Sequence, residues 1–126
     1  MTRRPIWFEI YAEDIERARE FYGQVFGWRL EPFDDYDPEN YFLLKNQRHQ
    51  SVAGAIVRAG SVTGLESRGT GSSVVYLEVD DLETTASAAI AAGGQVVSPR
   101  REISSDAGSF LIIADPEGTP LGLWCP

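Results

Sequence analysis

An offset of 67 positions lays Phe8-Glu9-Ile10-Tyr11-Ala12-Glu13-Asp14-Ile15-Glu16 on Val75-Tyr76-Leu77-Glu78-Val79-Asp80-Asp81-Leu82-Glu83, and Gly27 on Gly94. A duplicated unit restricts the fold sharply, because whatever one copy forms the other must form too. In each copy a strand-like run ends in an acidic pair. The second acid, Asp14 or Asp81, stands where its side chain can cap the first free amides of a helix. After Asp14 the residues Ile15, Ala18, Phe21, Tyr22, Val25 and Phe26 recur at three- and four-residue spacings, which predicts one helical face buried along its length. After Asp81 the stripe is thinner, made of Leu82, Thr85, Ala89 and Ala92. Gly27 ends the first helix and Gly93-Gly94 the second.

Three strand-like runs follow each helix: Trp28 to Phe33, Tyr41 to Lys45 and Val52 to Arg58 in the first copy, then Gln95 to Ser98, Ser109 to Ala114 and Leu121 to Trp124 in the second. Asp115-Pro116-Glu117-Gly118 supplies a tight turn before the last of these. Between the copies, Ala59 to Ser73 is rich in Gly, Ser and Thr and predicts a surface linker. The expected class is α+β: two tandem β-α-β-β-β modules, 5–58 and 74–126, joined by linker 59–73 within a single 126-residue domain. Their strands are expected to form a curled mixed sheet with a central cup.

The apolar fraction, 43%, is enough for a packed core at this length. A net charge of -8 repels phosphate backbones and anionic lipid, so neither nucleic acid nor a membrane surface is an expected partner. No apolar run approaches the roughly 18 to 20 residues of a spanning helix, and Glu9 interrupts any export signal behind Arg3-Arg4. The single cysteine, Cys125, cannot form an internal disulfide, which suits the cytoplasm. Gly60, Gly64, Gly69 and Gly71 match neither dinucleotide nor P-loop spacing, and Arg100-Arg101 is expected to be a solvated strand end.

Alternation along a strand covered on one side by a helix sorts its residues into two sets. Phe8 and Ile10 suit the helix side, so Trp7, Glu9 and Tyr11 face away from it, as do Val74, Tyr76 and Glu78 in the second copy. With Trp124 from the last strand, these side chains would line the cup with aromatic walls and two carboxylates, the composition of a small-ligand site. Taken singly, Trp7, Tyr11, Tyr76 and Trp124 would only pack an interface, and Glu9 and Glu78 would sit in water at strand edges.

The order Phe8-Glu9-Ile10 through Asp14, Arg17-Ala18-Arg19-Glu20-Phe21-Tyr22 and Val25-Phe26-Gly27-Trp28 resembles the opening of vicinal oxygen chelate proteins. Val79-Asp80-Asp81-Leu82, Ala92-Gly93-Gly94 and Asp115-Pro116-Glu117-Gly118 through Leu121-Gly122-Leu123-Trp124 resemble that family's second module. The family includes glyoxalase I, extradiol dioxygenases, fosfomycin-resistance enzymes and bleomycin-binding proteins. The resemblance implies paired modules, frequent dimerisation and, in active members, one divalent metal acting as a Lewis acid on a chelating substrate. It also implies a His early in each module's first strand and a Glu in a last strand. Here those positions hold Trp7, Val74 and Gly122, and the stretch around Gly54 offers only Ala53, Ala55 and Ile56. None of these side chains is a metal ligand.

A displaced site for magnesium, calcium or manganese would have to use Glu9 and Glu78. His49, the lone imidazole, lies in the polar turn Asn46-Gln47-Arg48-His49-Gln50 and is expected to be solvated. The leading expectation is a homodimeric protein that binds a small organic molecule through Trp7, Glu9, Tyr11, Tyr76, Glu78 and Trp124 without the usual metal. The alternative is an enzyme: a metal-dependent lyase or dioxygenase, or a metal-free isomerase with Glu9 or Glu78 as general base.

Overall fold

A computed structural model describes residues 5–45, 52–62, 64–66 and 72–126. The element order is β1 (Pro5–Ala12), α1 (Ile15–Phe26), β2 (Arg29–Pro32), β3 (Tyr41–Lys45), β4 (Val52–Arg58), β5 (Ser73–Glu78), α2 (Leu82–Ala91), β6 (Gln95–Ser104), β7 (Gly108–Ala114) and β8 (Pro120–Cys125). This is the repeated β-α-β-β-β order that the 67-residue offset predicts, and the class is α+β. The chain divides into two compact units, Trp7–Ser73 and Val74–Pro126, the second also taking the residues up to Ile6.

In the first unit the strands lie in the order β2-β3-β4-β1. β1 runs parallel to β4, pairing Glu9 with Ala55, whereas β2-β3 and β3-β4 are antiparallel. In the second unit β5-β8-β7-β6 repeats the arrangement, with β5 parallel to β8 and the remaining pairs antiparallel. Each set of four strands is therefore mixed. α1 carries the chain from β1 to β2 and α2 from β5 to β6, at the far end of each order, and two antiparallel steps then bring the last strand in parallel beside the first.

Local chemistry sets the helix ends. Asp14 Oδ1 accepts from Arg17 N at 3.0 Å and Asp81 Oδ1 from Thr84 N at 3.0 Å, so both expected caps form. Hydrogen bonds from Thr84 hold the Asp81 carboxyl below the usual carboxylate range. At the other end of α1, Gly27 adopts φ 71° and donates its N–H to Gly23 O at 2.9 Å, while Trp28 N bonds Tyr22 O at 3.2 Å. A side chain at Gly27 would meet the left-handed penalty, which is why glycine ends this helix. The Asp115–Gly118 turn closes through Gly118 N to Asp115 O at 2.9 Å.

One core lies between α1 and its sheet: Ile15, Leu30, Phe42 and Ile56, with Ile10, Ala12, Ala18 and Tyr22 packed against them. The other lies between α2 and its sheet, from Val79, Leu82, Ala86, Leu111, Ile113, Leu123 and Cys125. Burying such side chains is the main favourable term in folding.

Several expectations need correction. Phe21, Val25 and Phe26 are 54%, 56% and 60% exposed, so the apolar stripe of α1 is wider than the face that meets the sheet. Ile15, Ala18 and Tyr22 make that contact, and Phe21 instead sets its ring edge-on to Tyr22 at 5.2 Å. In α2 the buried pair is Leu82 and Ala86, one turn apart, and Ala92 is an exposed cap. Within the expected surface linker, Leu65 is only 4% exposed and Ser72 O accepts from Tyr11 N at 3.0 Å. β6 runs on to Ser104, so Arg100 and Arg101 lie within the strand, and Arg100 pairs with Glu83 of α2 at 3.0 Å. As the outermost strand of its sheet, β6 can hold Pro99 and a run of charges that a central strand could not. Arg3-Arg4, the His49 turn, Gly69 and Gly71 lie outside the described residues, as does the side chain of Ala53.

Candidate functional site

β1 separates its side chains as its alternation predicts. Phe8 turns to the helix side, its ring 5.9 Å from that of Trp28, and Ile10 and Ala12 enter the α1 core. Glu9 and Tyr11 turn the other way and are buried. Burial of a carboxylate is costly without donors, and donors are present. Glu9 Oε1 accepts from the Tyr11 hydroxyl at 3.1 Å and Oε2 from the Tyr41 hydroxyl at 2.6 Å. The second separation is in the charge-assisted range. Trp7 Nε1 donates to the Tyr41 hydroxyl oxygen at 3.0 Å, which extends the chain to Trp7-Tyr41-Glu9-Tyr11.

Burial, followed by the Glu9 charge and the hydrogen bond to it, pushes the Tyr41 phenol well above its usual value, so it remains a protonated donor. Aromatic rings support it from the β2-β3 connection: Tyr36 stands edge-on at 5.5 Å and Phe33 at 5.8 Å. Three of the expected site residues, Trp7, Glu9 and Tyr11, are thus joined in one network. Its hub, Tyr41, was not among them. The plainer expectation, that Glu9 sits in water, is overturned by its 4% exposure.

The second unit builds the equivalent face differently. Tyr76, at the position of Glu9 in the repeat, is buried and sets its ring edge-on to Phe110 at 6.3 Å. It pairs across β5-β8 with Gly122, and a Cβ on that glycine would fall 2.5 Å from Tyr76 Cγ. Trp124 is half-buried, with its indole N–H given to Ala107 O at 2.7 Å. Glu78 pairs with Trp124 in register and is exposed. Among the described residues no helix is long and apolar enough to cross a membrane.

Residues 4–38 match the family described as bleomycin resistance protein-like N-terminal. A glyoxylase-like domain-containing protein of Didymella fabae is 30% identical over 111 residues, covering 87% of this chain and 84% of its own length. The chain belongs to the glyoxalase/bleomycin resistance/dioxygenase superfamily. A second relative, CFP32 of Mycobacterium tuberculosis, named as a glyoxylase, is 32% identical over 113 residues. That match covers 90% of this chain, which spans about 40% of the relative's length. A solved member of the superfamily from Vibrio splendidus superposes with a TM-score of 0.62 at 16% identity, covering 99% of this chain and 100% of the other, a likeness of fold.

Membership in this superfamily raises the question of a divalent metal, and the three expected ligand positions do not fit one. Trp7 offers only an N–H, already given to Tyr41. Val74 is buried and apolar. Gly122 has no side chain, and the ring of Tyr76 fills the space one would need. Among the described residues no group of three or more His, Cys, Asp or Glu side chains converges as a metal cluster would.

Proposed function

We propose that the protein binds a small organic molecule on the helix-free face of its first module, through Trp7, Glu9 and Tyr11, without a metal at the three usual positions. The observation that supports this is the buried Glu9 carboxylate, fixed by two phenols and tied through Tyr41 to the Trp7 indole. Oriented acceptors beside aromatic faces suit a polar aromatic or cationic molecule, and the net charge of -8 favours approach of a cation. Tyr76, Glu78 and Trp124 are proposed as ligand-binding residues of the second module, to be tested separately.

Tryptophan emission gives the test. Of Trp7, Trp28 and Trp124, only Trp28 faces a helix, stacked on Tyr22 at 4.9 Å. A library of organic cations and polar aromatics should yield compounds that change the emission of the wild type but not of Trp7→Phe. Compounds whose effect survives in Trp7→Phe and vanishes in Trp124→Phe would move the site to the second module. No response in any protein would remove the proposal.

The enzymatic alternative is a metal-free isomerase using Glu9, and the buried acid-phenol pair with its 2.6 Å hydrogen bond favours it over a role for Glu78. Any turnover found by screening must then be abolished by Glu9→Gln; its persistence removes Glu9 as the base. Homodimerisation in the cytoplasm belongs to the same proposal. The exposed Phe21, Val25 and Phe26 support association with a second copy through α1. Light scattering should report a dimer that Phe21→Ser with Phe26→Ser converts to monomer; a monomeric wild type would refute it.

A further inference from the structure

We infer that Tyr76 is the side chain that keeps the last-strand ligand position of the second module closed, so that position 122 cannot accommodate a metal-binding side chain while the ring is present. Gly122 lies on β8 directly beside Tyr76 on β5. A Cβ there would come to within 2.5 Å of Tyr76 Cγ, with two further ring carbons closer still. Separations under about 3 Å between carbons are repulsive, the optimum being roughly 3.5–4.0 Å. The ring has little freedom to retreat, because Tyr76 is buried and braced edge-on by Phe110 at 6.3 Å. Phe110 is itself buried within β7, which pairs with β8 on the far side.

The glycine is not explained by backbone conformation, since its φ lies outside the left-handed range in which Gly27 and five other glycines are found among the described residues. Space is what requires it. An aromatic ring over a glycine on the neighbouring strand is a recognised way of stabilising a sheet, and here it occupies the position at which the resemblance implies a Glu. The first module shows the other solution at the equivalent pair. Ala55 stands beside Glu9, and the larger neighbour is the carboxylate itself. The inference does not depend on whether a small molecule binds the first module.

A mutant cycle on the full chain tests it, with Gly122→Ala, Tyr76→Ala and the double variant compared by urea denaturation. Gly122→Ala should lower the midpoint. The double variant should then lose clearly less than the two single losses added together, because removing the ring makes room for the methyl. Gly122→Glu should follow the same pattern, and wild type loaded with manganese, nickel or zinc should retain no stoichiometric ion in native mass spectrometry. Additive losses, or a Gly122→Ala variant as stable as wild type, would show that the ring does not close the position. A stoichiometric ion held by wild type would overturn the inference from the metal side. The single methyl serves where Gly122→Glu fails to fold.

Discussion

On the helix-free face of the first module the paired first and last strands carry Glu9 beside Ala55; in the second module the same two places carry Tyr76 beside Gly122. Two residues further along, Tyr11 is buried and donates to Glu9, whereas Glu78 is exposed. Acid and phenol have changed places, and the consequences differ. A carboxylate at the inner position needs donors, and Tyr11 and Tyr41 supply them. A phenol ring at that position needs volume, and glycine provides it. One backbone plan thus carries a polar network in one copy and an aromatic filling in the other. The copies differ in what fills that face: a hydrogen-bonded carboxylate in the first, an aromatic ring over a glycine in the second.

The largest effect expected from breaking this comparison is at Glu9. Glu9→Ala leaves the Tyr11 and Tyr41 hydroxyls buried without their acceptor, at a cost of about 3 kcal/mol or more. Glu78→Ala, on an exposed side chain, should stay within about 0.5 kcal/mol of wild type. Urea denaturation of the two variants measures the contrast directly. Equal losses would mean that the modules do not differ in the way their side chains indicate.

The features with a period in the sequence were legible: the duplicated order, both acidic helix caps, the turn at Asp115, and the two-sided sorting of β1. Tyr41 was missed for a physical reason. Tyr41-Phe42-Leu43-Leu44 is apolar or aromatic at every position, so its alternation carries no phase, and only the packing of Phe42 and Leu44 against the α1 core reveals that Tyr41 points the other way. Leu65 was hidden because one buried residue among Gly, Ser and Thr makes no pattern. β6 was cut short at Ser98 because Pro99 and three charges look unlike strand, yet an outer strand with exposed side chains tolerates both. The exposed rings of α1 reflect the reverse problem. Spacing reports that residues share a side of the helix, and it does not report how much of that side the sheet can reach.

A smaller effect, at Tyr41, sharpens the comparison. Tyr41→Phe removes one donor to Glu9 and the acceptor for the Trp7 indole, a loss of about 1–2 kcal/mol at neutral pH. Its pH dependence is more distinctive. In the unfolded chain a tyrosine ionises at about pH 10, whereas in the fold burial and the neighbouring Glu9 charge hold Tyr41 protonated to higher pH. The raised value means that its contribution is fully present below about pH 10. Above that pH the unfolded state releases the proton first, and stability falls by up to about 1.4 kcal/mol per pH unit until the folded protein titrates as well. Phenylalanine has no proton to lose, so the difference between wild type and Tyr41→Phe should narrow as pH rises above 10. Paired denaturation curves at neutral and alkaline pH test this, with tyrosinate absorbance reporting one late-titrating phenol fewer in the variant. A difference that stays constant across that range would show that Tyr41 is not held protonated in the fold by burial and the Glu9 charge, and the network of the first module would lose its hub.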